Sequence, residues 1–443
     1  MFQPELETMD RPELERLQAD RLKQTVERVY NLVPFYRRRL DKAGVKPGEI
    51  GSLEDLPRLP FTWKKDFRDH YPFGLFAVEL EEVARIHASS GTRGKPTVVG
   101  YTQNDLRIWA EVCARALVIA GGRPGDVFHN AYGYGLFTGG LGLHYGAERL
   151  KATVVPVSGG NRVRQAALIR DFRPRGIGGT PSFVLSLAET MEEMGVDPRS
   201  TTLEYGIFGA EPWSEEMRRT LEEKWGIDAL DIYGLSEVIG PGVSMECPKA
   251  KDGLHIAEDH FLPEVVDPET GDPLPDGAYG ELVFTSLTKE ALPVLRYRTG
   301  DIASLIREPC RCGRTHTRMS RIKGRIDDML IIRGVNVFPS EMEAVVLEEK
   351  EVAPHYRLVV TKEGTMDRLT LEVEISEDLL RSTEGHFDPG HERCGQVCNR
   401  LQQRLKELLG ITTEVSLKEP KSIPRSEGKA VRVIDRRKEA QPG

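Results

Sequence analysis

Long apolar runs and cysteines are both scarce in this sequence, and each shortage excludes a class of protein. The 443 residues contain no run of about 18 apolar residues, so no membrane-spanning segment is expected. Residues 1–5 have neither a basic start nor an apolar stretch, so we expect no secretory signal. Six cysteines in so long a chain are then typical of reduced thiols in a cytoplasmic protein.

An excess of positive charge is also missing. The chain has 61 lysines and arginines against 69 aspartates and glutamates, which gives a net charge of −8. This balance argues against a large nucleic-acid-binding face. Hydrophobic residues make up 39% of the chain and charged residues 29%, a composition typical of folded globular domains.

The pattern of apolar residues predicts an α/β protein with more than one domain. Between about residue 83 and residue 250, short apolar runs alternate with helical stretches, which indicates mostly parallel sheets covered by helices. From about 253 to 322 the pattern changes to short strands and turns, typical of a β-rich subdomain. We therefore expect a large N-terminal domain over residues 1–326 and a small, mobile α+β domain over residues 327–443.

A glycine-containing loop at residues 89–96 is the first candidate for binding a charged ligand. Its residues include Ser89, Ser90, Gly91, Thr92, Gly94 and Lys95. Glycines allow the backbone N–H groups to surround an anion, while the hydroxyls and the lysine supply further donors and a positive charge. The loop does not have the Walker A pattern, and an ordinary polar hairpin turn would explain it equally well.

Three distant segments favour the nucleotide interpretation. Tyr233 and Glu237 follow an apparent strand, at the edge where open sheets bind ligands, so the ring is expected near a base and the carboxylate on a Mg²⁺ ion. Asp301 ends another strand and has the acceptors needed for two ribose hydroxyls. The run Gly324-Arg325-Ile326-Asp327-Asp328 opens the last domain. Each segment alone is consistent with a surface turn; the four together, in this order, are not expected by chance.

With these motifs the sequence resembles the adenylate-forming superfamily, and within it the phenylacetate–CoA ligase family. The resemblance covers nearly the whole chain and is carried by residues 89–101, 132–140, 209–213, 233–242, 292–302, 325–341 and 424–429. One departure is Arg93, where similar sequences usually have threonine. An additional guanidinium beside the phosphates would either help to bind them or face the solvent.

The resemblance implies a two-step ligase that consumes ATP and coenzyme A with Mg²⁺. Residues 89–96 would hold the β- and γ-phosphates, and Asp301 and Arg325 would lie at the ribose. Lys429 would act on the carboxylate and the α-phosphate, and Asp327 would be the hinge about which the C-terminal domain rotates. The adenine would be lined by Gly209, Ala210, Glu211 and Pro212.

The acid-binding pocket is predicted from aromatic residues beside glycines. Tyr132, Tyr134 and Phe137 supply rings suited to a flat apolar acid, and Ile239 and Pro241 would form the opposite wall. Core packing is an equally good explanation for any one of these rings. Phenylacetate is the leading substrate, with indoleacetate, benzoate derivatives and an unusual cofactor carboxylate as alternatives.

Four residues have the chemistry of a structural zinc site. Cys247, His255, Cys310 and Cys312 offer three thiolates and one imidazole, a complete tetrahedral set with no open position for catalysis. The Cys-x-Cys spacing is tighter than usual, and reduced cysteines in turns are the alternative.

Three other functions remain open from the sequence. The enzyme could pass its acyl group to the thiol of a carrier protein, could stop at the adenylate, or could be an inactive nucleotide-binding homologue. A homodimer is expected from the resemblance, with neither nucleic acid nor membrane as a partner.

Overall fold

The computed structural model describes residues 1–89, 95–326, 330–333, 335–363, 366–383, 386–425 and 432–437. The helices are α1 (Pro4–Glu7), α2 (Arg11–Leu32), α3 (Pro34–Lys42), α4 (Lys64–Asp69), α5 (Gln103–Ile119), α6 (Thr138–Arg149), α7 (Arg162–Phe172), α8 (Pro181–Glu193), α9 (Glu215–Trp225), α10 (Pro339–Glu348), α11 (Glu377–Ser382) and α12 (Glu392–Leu409). None of these helices has the length and apolar character needed to cross a bilayer.

The strands of the N-terminal part are β1 (Arg85–Ser89), β2 (Thr97–Tyr101), β3 (Val127–Asn130), β4 (Thr153–Val155), β5 (Gly176–Gly179), β6 (Tyr205–Gly209), β7 (Asp228–Leu235), β8 (Gly240–Glu246), β9 (Leu254–Ile256), β10 (Phe261–Val266), β11 (Gly280–Ser286), β12 (Tyr297–Ala303), β13 (Leu305–Ile306), β14 (Arg318–Met319) and β15 (Gly324–Arg325). Those of the C-terminal part are β16 (Leu330–Ile332), β17 (Val335–Val337), β18 (Val352–Glu363), β19 (Met366–Ile375), β20 (Glu414–Lys418) and β21 (Val433–Asp435).

A nine-stranded sheet forms the centre of the N-terminal part. Its strand order is β13-β14-β9-β8-β7-β6-β5-β3-β4, and the strands from β4 to β7 pair in parallel. Helices follow these parallel strands in the chain, as the alternating sequence pattern predicts. Since β6 and β7 are parallel neighbours, their carboxyl ends at Gly209 and Leu235 lie at the same edge, where open sheets bind ligands.

The β-rich region is divided between two sheets. Strands β10, β11, β12 and β15 form an antiparallel sheet, whereas β9, β13 and β14 extend the nine-stranded sheet. The pairing of Arg318 with His255 joins segments more than 60 residues apart. Only Ser304 separates β12 of the antiparallel sheet from β13 of the nine-stranded sheet, and the pairing of β12 with β15 brings Asp301 opposite Arg325.

Residues 330–437, here called the C-terminal unit, have a hydrophobic core of their own. Its buried members extend from Leu330 to Leu417 and include no residue of the N-terminal part. Around this core, β18 and β19 pair antiparallel, β20 and β21 add parallel edges, and α10 and α12 pack alongside. The division into domains at residues 326 and 327 stays a prediction, and its hinge residue Asp327 lies outside the described residues.

Candidate active site

A cleft opens at the carboxyl ends of β6 and β7. Residues 209–213, residues 231–235, Asp301, Arg321 and Arg325 line it, and it encloses about 120 Å³. Gly209 is required here by space, because a Cβ at this position would lie 2.2 Å from the carbonyl oxygen of Ile232. The close approach places the backbone of residues 209–213, here called the cleft loop, against the next strand.

Asp301 forms the polar wall of the cleft. Tyr233 Oη donates to Asp301 Oδ2 at 2.7 Å, and Arg325 Nη1 donates to Oδ1 at 2.7 Å. The carboxylate is 4% exposed, and the Tyr233 ring stacks on Phe284 with centroids 6.2 Å apart. Burial raises the pKa of the Tyr233 hydroxyl, which Asp301 raises further, so that hydroxyl remains a donor. Both carboxylate oxygens are thus held in place by hydrogen bonds.

Arg321 is a cleft residue that sequence reasoning missed. Its guanidinium lies 4.5 Å from the centroid of the Trp213 ring and donates to the Trp213 carbonyl oxygen at 2.6 Å. It also pairs with Glu215 at 2.7 Å. Arg321 thereby fixes the end of the cleft loop. Arg321 belongs to no recognisable sequence motif. The one available signal is its position three residues before Gly324, the start of the run that opens the last domain.

Glu237 lies in a tight turn between β7 and β8. A Cβ on Gly234 would meet the carbonyl oxygen of Gly240 at 1.9 Å, so the two strand ends touch. Thr138 and Ser236 share a hydrogen bond of 3.1 Å, and Tyr101 Oη donates to the Ile239 carbonyl oxygen at 2.9 Å. Glu237 itself is 6% exposed. The turn therefore holds a nearly buried carboxylate in a fixed position.

A buried lysine lies on the inner side of the same turn. Lys289 Nζ is 4.0 Å from the centroid of the Tyr101 ring, and within the described residues it makes no hydrogen bond. Burial lowers its pKa to about 8, against the opposing effect of Asp105 and Glu237. Asp105 and Glu237 are therefore the carboxylates whose charge favours the ammonium form of Lys289. Sequence reasoning missed Lys289, because a lysine followed by a glutamate is typical of a solvent-exposed surface.

The predicted phosphate loop joins β1 to β2 in the chain. Ser89 pairs with Thr97 in this hairpin, and Lys95 lies 5.3 Å from the Tyr71 ring centroid. The Leu136 carbonyl oxygen accepts from the Ala88 N–H at 3.1 Å and lies 3.0 Å from His87 Nδ1, which anchors the hairpin to the segment before α6. Ser90, Gly91, Thr92, Arg93 and Gly94 lie outside the described residues.

The predicted acid-pocket residues differ in their surroundings. Tyr132 is 4% exposed and belongs to a hydrophobic core, and Ile239 is buried in another. Tyr134 Oη accepts from Asn130 Nδ2 at 2.8 Å and lies 3.2 Å from His144 Nδ1. Pro241 packs close to Gly142, and Phe137 is 43% exposed. Tyr134 and Phe137 are consequently the rings with access to a ligand.

Lys429 lies outside the described residues, but the chain on both sides of it is tied to the C-terminal sheet. Arg425 makes a bidentate pair with Glu374 at 2.7 and 2.8 Å. After the undescribed stretch, β21 pairs in parallel with β18. Pro424 and Arg425 also line a cavity of about 320 Å³ with Ser182 and Ser186 of α8. The segment that carries Lys429 therefore begins beside the N-terminal part.

The four predicted zinc ligands come together in the structure. Their ligand atoms all lie within 4.8 Å of one another, with Cys247 Sγ 3.7 Å from Cys310 Sγ and Cys312 Sγ 3.3 Å from His255 Nε2. Tetrahedral zinc with Zn–S bonds of about 2.3 Å separates its sulfurs by about 3.8 Å, so the spacing fits the metal. Hydrogen bonding to Cys247 and His255 lowers the pKa of the Cys312 thiol, which favours the thiolate that zinc binds.

Comparison with known families gives matches over most of the chain. A model described as AMP-binding enzyme matches residues 11–288, and one described as AMP-binding enzyme C-terminal domain matches residues 334–437. The phenylacetate–coenzyme A ligase of Thermus thermophilus is 58% identical over 99% of this chain and 100% of its own length. That of Escherichia coli is 55% identical over 98% and 97%.

Solved structures of 2-hydroxyisobutyryl-CoA ligase resemble the fold in two states. The complex with R3-HIB-AMP in the postadenylation state superposes with a TM-score of 0.91 at 32% identity, covering 98% of this chain and 92% of the other. The complex with 2-HIB-AMP and CoA in the thioesterification state gives a TM-score of 0.72 at 33% identity, with coverages of 98% and 91%. The arrangement of this chain is thus closer to the postadenylation structure.

Proposed function

The chain belongs to the AMP-binding enzyme family, among the phenylacetate–coenzyme A ligases, and from this premise we propose that its acid substrate is an aryl acid, with phenylacetate as the first candidate. The activity of the chain is ATP-dependent acid–CoA ligation through an acyl-adenylate. The structural observation that carries the nucleotide half of this activity is the cleft at the ends of β6 and β7 with Asp301 fixed in its wall.

The reaction has two group-transfer steps. A carboxylate oxygen of the acid attacks the α-phosphorus of ATP, and the bond to pyrophosphate breaks. The thiol sulfur of CoA then attacks the acyl carbon, the bond to AMP breaks, and the thiol proton is released. The first step brings a carboxylate against a triphosphate, so fixed donors and cations are needed to stabilise the crowded negative charge.

The nucleotide is proposed to lie in the described cleft. The backbone of Gly209, Ala210, Glu211 and Pro212 borders the space for adenine, and the stacked Tyr233 ring borders it from the next strand. Asp301 would accept both ribose hydroxyls, because an ionised carboxylate that lines the cleft is an acceptor, and Arg325, which also lines the cleft, would hold that carboxylate in place. This assignment uses the groups that the cleft brings together.

The phosphates are proposed to extend from this cleft towards the β1–β2 hairpin. Glu237 would hold a Mg²⁺ ion, because a carboxylate in a rigid turn is a hard oxygen ligand. When bound, the ion would offset the phosphate charge. Ser89 and Lys95 mark the ends of the loop that would hold the β- and γ-phosphates, and Lys429 would supply the cation at the α-phosphate.

A panel of acids tests the substrate. Purified protein with ATP, Mg²⁺ and CoA is assayed for AMP release on phenylacetate, indoleacetate, benzoate and octanoate. We expect the highest kcat/KM for phenylacetate, since Tyr134 and Phe137 offer aromatic contacts. Turnover of octanoate alone would contradict the aryl pocket.

Identification of the thioester product separates CoA from a carrier-protein thiol as the acceptor. Pyrophosphate exchange without formation of a thioester would indicate an enzyme that stops at the adenylate.

We also propose that Cys247, His255, Cys310 and Cys312 bind one structural zinc ion. Support comes from the donor set and from its spacing. All six cysteines are unpaired, so no disulfide competes for these thiols. Metal analysis of freshly purified protein should give about one zinc per chain. Zinc far below that level, in protein purified without chelators, would contradict the site.

A homodimer in the cytoplasm completes the proposal. Free thiols and the use of ATP and CoA are compatible with that compartment. Sedimentation equilibrium would give a mass near twice the 49.7 kDa of one chain. A mass of one chain at micromolar concentration would contradict the dimer.

A further inference from the structure

Glu343 makes a buried contact across the two parts of the chain. It lies in α10 of the C-terminal unit, is 2% exposed, and its Oε2 accepts from the Ser214 backbone N–H at 3.1 Å. Its other oxygen lies 3.4 Å from Tyr356 Oη and 3.3 Å from Arg432 Nη2, both in the same unit. The side chain is thus held by its own unit and reaches the N-terminal part through one backbone donor.

Ser214 is directly attached to the cleft. It is the N-cap of α9, its hydroxyl accepts from the Met217 N–H at 3.2 Å, and it follows Trp213, the last residue of the cleft loop. Arg321 holds the Trp213 carbonyl oxygen from the other side. The end of the cleft loop is therefore fixed from two directions, one of them the C-terminal unit.

Three other described contacts across this boundary involve residues outside the cleft loop. His355 lies 3.0 Å from Glu189 of α8, Ser340 Oγ donates to the Lys323 carbonyl oxygen at 2.9 Å, and Lys421 pairs with Glu193 at 2.6 Å. The Lys421–Glu193 pair is more than half exposed on both sides and contributes little. Among the described contacts between the two parts, the bond from Ser214 to Glu343 combines burial with attachment to the loop.

The contact between Ser214 and Glu343 occurs in an arrangement close to one of the two seen in the comparison structures. The chain superposes on 2-hydroxyisobutyryl-CoA ligase with a TM-score of 0.91 in the postadenylation state and 0.72 in the thioesterification state. The two states of that ligase therefore differ in overall arrangement, and this chain has an arrangement near the first. A contact between α10 and the start of α9 depends on that arrangement, because the two helices belong to different parts of the chain.

We propose that Glu343 is a positioning residue for adenylate formation, which holds the C-terminal unit and the end of the cleft loop in register through the Ser214 N–H. This rests on the two-step reaction proposed above. Glu343 touches no reacting atom; it acts through Ser214. It is needed when the acid and ATP react and is dispensable when CoA attacks a preformed acyl-adenylate.

Two pairs of variants isolate the contact. Ser214→Pro removes the N–H donor together with the hydroxyl cap, and Ser214→Ala removes the hydroxyl cap but keeps the donor. The Ser214 φ of −88° is about 20° from the value of about −65° that proline prefers, so Ser214→Pro requires a small backbone adjustment. Glu343→Met removes the acceptor at similar size, whereas Glu343→Gln keeps a carbonyl acceptor. Glu193→Gln is the control that breaks an exposed ion pair across the same boundary.

Each variant is assayed in the two half-reactions separately. ATP–pyrophosphate exchange reports adenylation, and thioester formation from supplied acyl-adenylate and CoA reports the second step. We expect Ser214→Pro and Glu343→Met to slow adenylation about tenfold or more, relative to Ser214→Ala and Glu343→Gln, and to leave the second step within about twofold. The double variant Ser214→Pro/Glu343→Met should be no slower than either single one, because both remove the same bond.

Equal loss in both half-reactions, or no loss in either, would overturn the proposal, as would full additivity in the double variant. Small-angle X-ray scattering provides a readout that does not require turnover. The Ser214→Pro profile should differ from that of Ser214→Ala, as expected if the C-terminal unit leaves its position, and identical profiles would count against the contact. If none of the acids supports pyrophosphate exchange by the unmodified protein, the proposed function fails. The scattering comparison still tests the contact in that case.

Discussion

Lys429 is the residue whose assignment depends most on resemblance and least on geometry. A lysine at the α-phosphate would stabilise charge that develops during attack of the carboxylate, and this charge is absent when a thiol attacks an acyl carbon. Lys429→Ala should therefore reduce ATP–pyrophosphate exchange by about 100-fold or more. Thioester formation from supplied acyl-adenylate should be largely preserved.

The control for this substitution is Lys421→Ala, an exposed lysine eight residues earlier that pairs with Glu193. It should change neither half-reaction by more than about twofold. A Lys429→Ala variant that loses both half-reactions equally would show that the lysine supports the fold of the C-terminal unit and does not act in adenylation alone.

For Asp301 the structure supplies contacts that the sequence does not show, namely hydrogen bonds from Tyr233 and Arg325. Asp301→Asn preserves the size of the side chain but replaces one acceptor with a donor facing Tyr233 or Arg325. Hydrogen bonds to a charged group contribute about 1.5–3 kcal/mol, so the KM for ATP should rise roughly 10- to 100-fold. Steady-state kinetics at saturating acid and CoA measure this, with Asp267→Asn in an exposed turn as the control. An unchanged KM for ATP would contradict the ribose role.

The sequence indicated these side chains singly but not their contacts. The pattern singles out Tyr233 and Asp301 because they follow or end an apparent strand, and Arg325 because its run opens the last domain. Their meeting depends on β12 pairing with β15 and on the turn after β7, and neither has a local sequence signal. Glu343 and Arg321 were missed for the same reason, since a glutamate or arginine that is buried only by a distant segment looks like a surface residue.

Elements with strong local patterns were predicted closely. The apolar spacing predicts a helix over 103–120, which the structure has as α5 (Gln103–Ile119), and another over 162–172, which it has as α7 (Arg162–Phe172). Pro34 is predicted to end or bend the first long helix, and α2 does end at Leu32, with Pro34 beginning α3. The division of the β-rich region between two sheets was not predictable, because short strands carry no information about distant partners.

The predicted zinc ion would connect several secondary-structure elements. Cys247 follows β8, His255 lies in β9, and Cys310 and Cys312 lie between β13 and β14, so one ion would join strands at the end of the nine-stranded sheet. Cys312→Ser should abolish stoichiometric zinc binding and lower the melting temperature by several degrees, because the metal no longer offsets the entropy of ordering these turns.

Cys398→Ser is the matched control for the cluster. Cys398 is half-buried on α12, and its sulfur lies 3.9 Å from the Val415 carbonyl oxygen, so this change should leave both the zinc content and the melting temperature nearly unaltered. Atomic absorption and calorimetry measure the two quantities. Equal zinc content in Cys312→Ser and the unmodified protein would refute the ligand assignment.

At the scale of the whole molecule, the boundary between the N-terminal part and the C-terminal unit contains a titratable group. Burial raises the pKa of Glu343 to about 7, and Glu211 acts in the same direction. Arg432 opposes the rise, as do the bonds from the Ser214 N–H and Tyr356. When the two parts separate, the carboxyl group gains solvent and its pKa falls towards its usual value. The packed arrangement therefore binds a proton more tightly than the separated one.

The sign of the pH effect follows from this difference. Below the usual carboxyl pKa both arrangements are protonated, and above about pH 7 both are ionised, so between these limits the packed arrangement loses stability as the pH rises. The loss is at most about 3 kcal/mol, if the whole shift came from packing. Scattering profiles of the unmodified protein should change between about pH 5 and pH 8 towards a larger radius of gyration.

Glu343→Gln separates this effect from other titrations, because an amide resembles the protonated carboxyl group and retains the acceptor for Ser214. Its scattering profile should stay near the low-pH profile of the unmodified protein across the same range. The adenylation rate of the unmodified protein should decline as the pH rises, because ionised Glu343 weakens the packed arrangement. The adenylation rate of Glu343→Gln should not show this decline. A pH response of equal size in Glu343→Gln and the unmodified protein would assign the effect to other groups, and no response in either would mean that ionised Glu343 is accommodated without separation of the two parts.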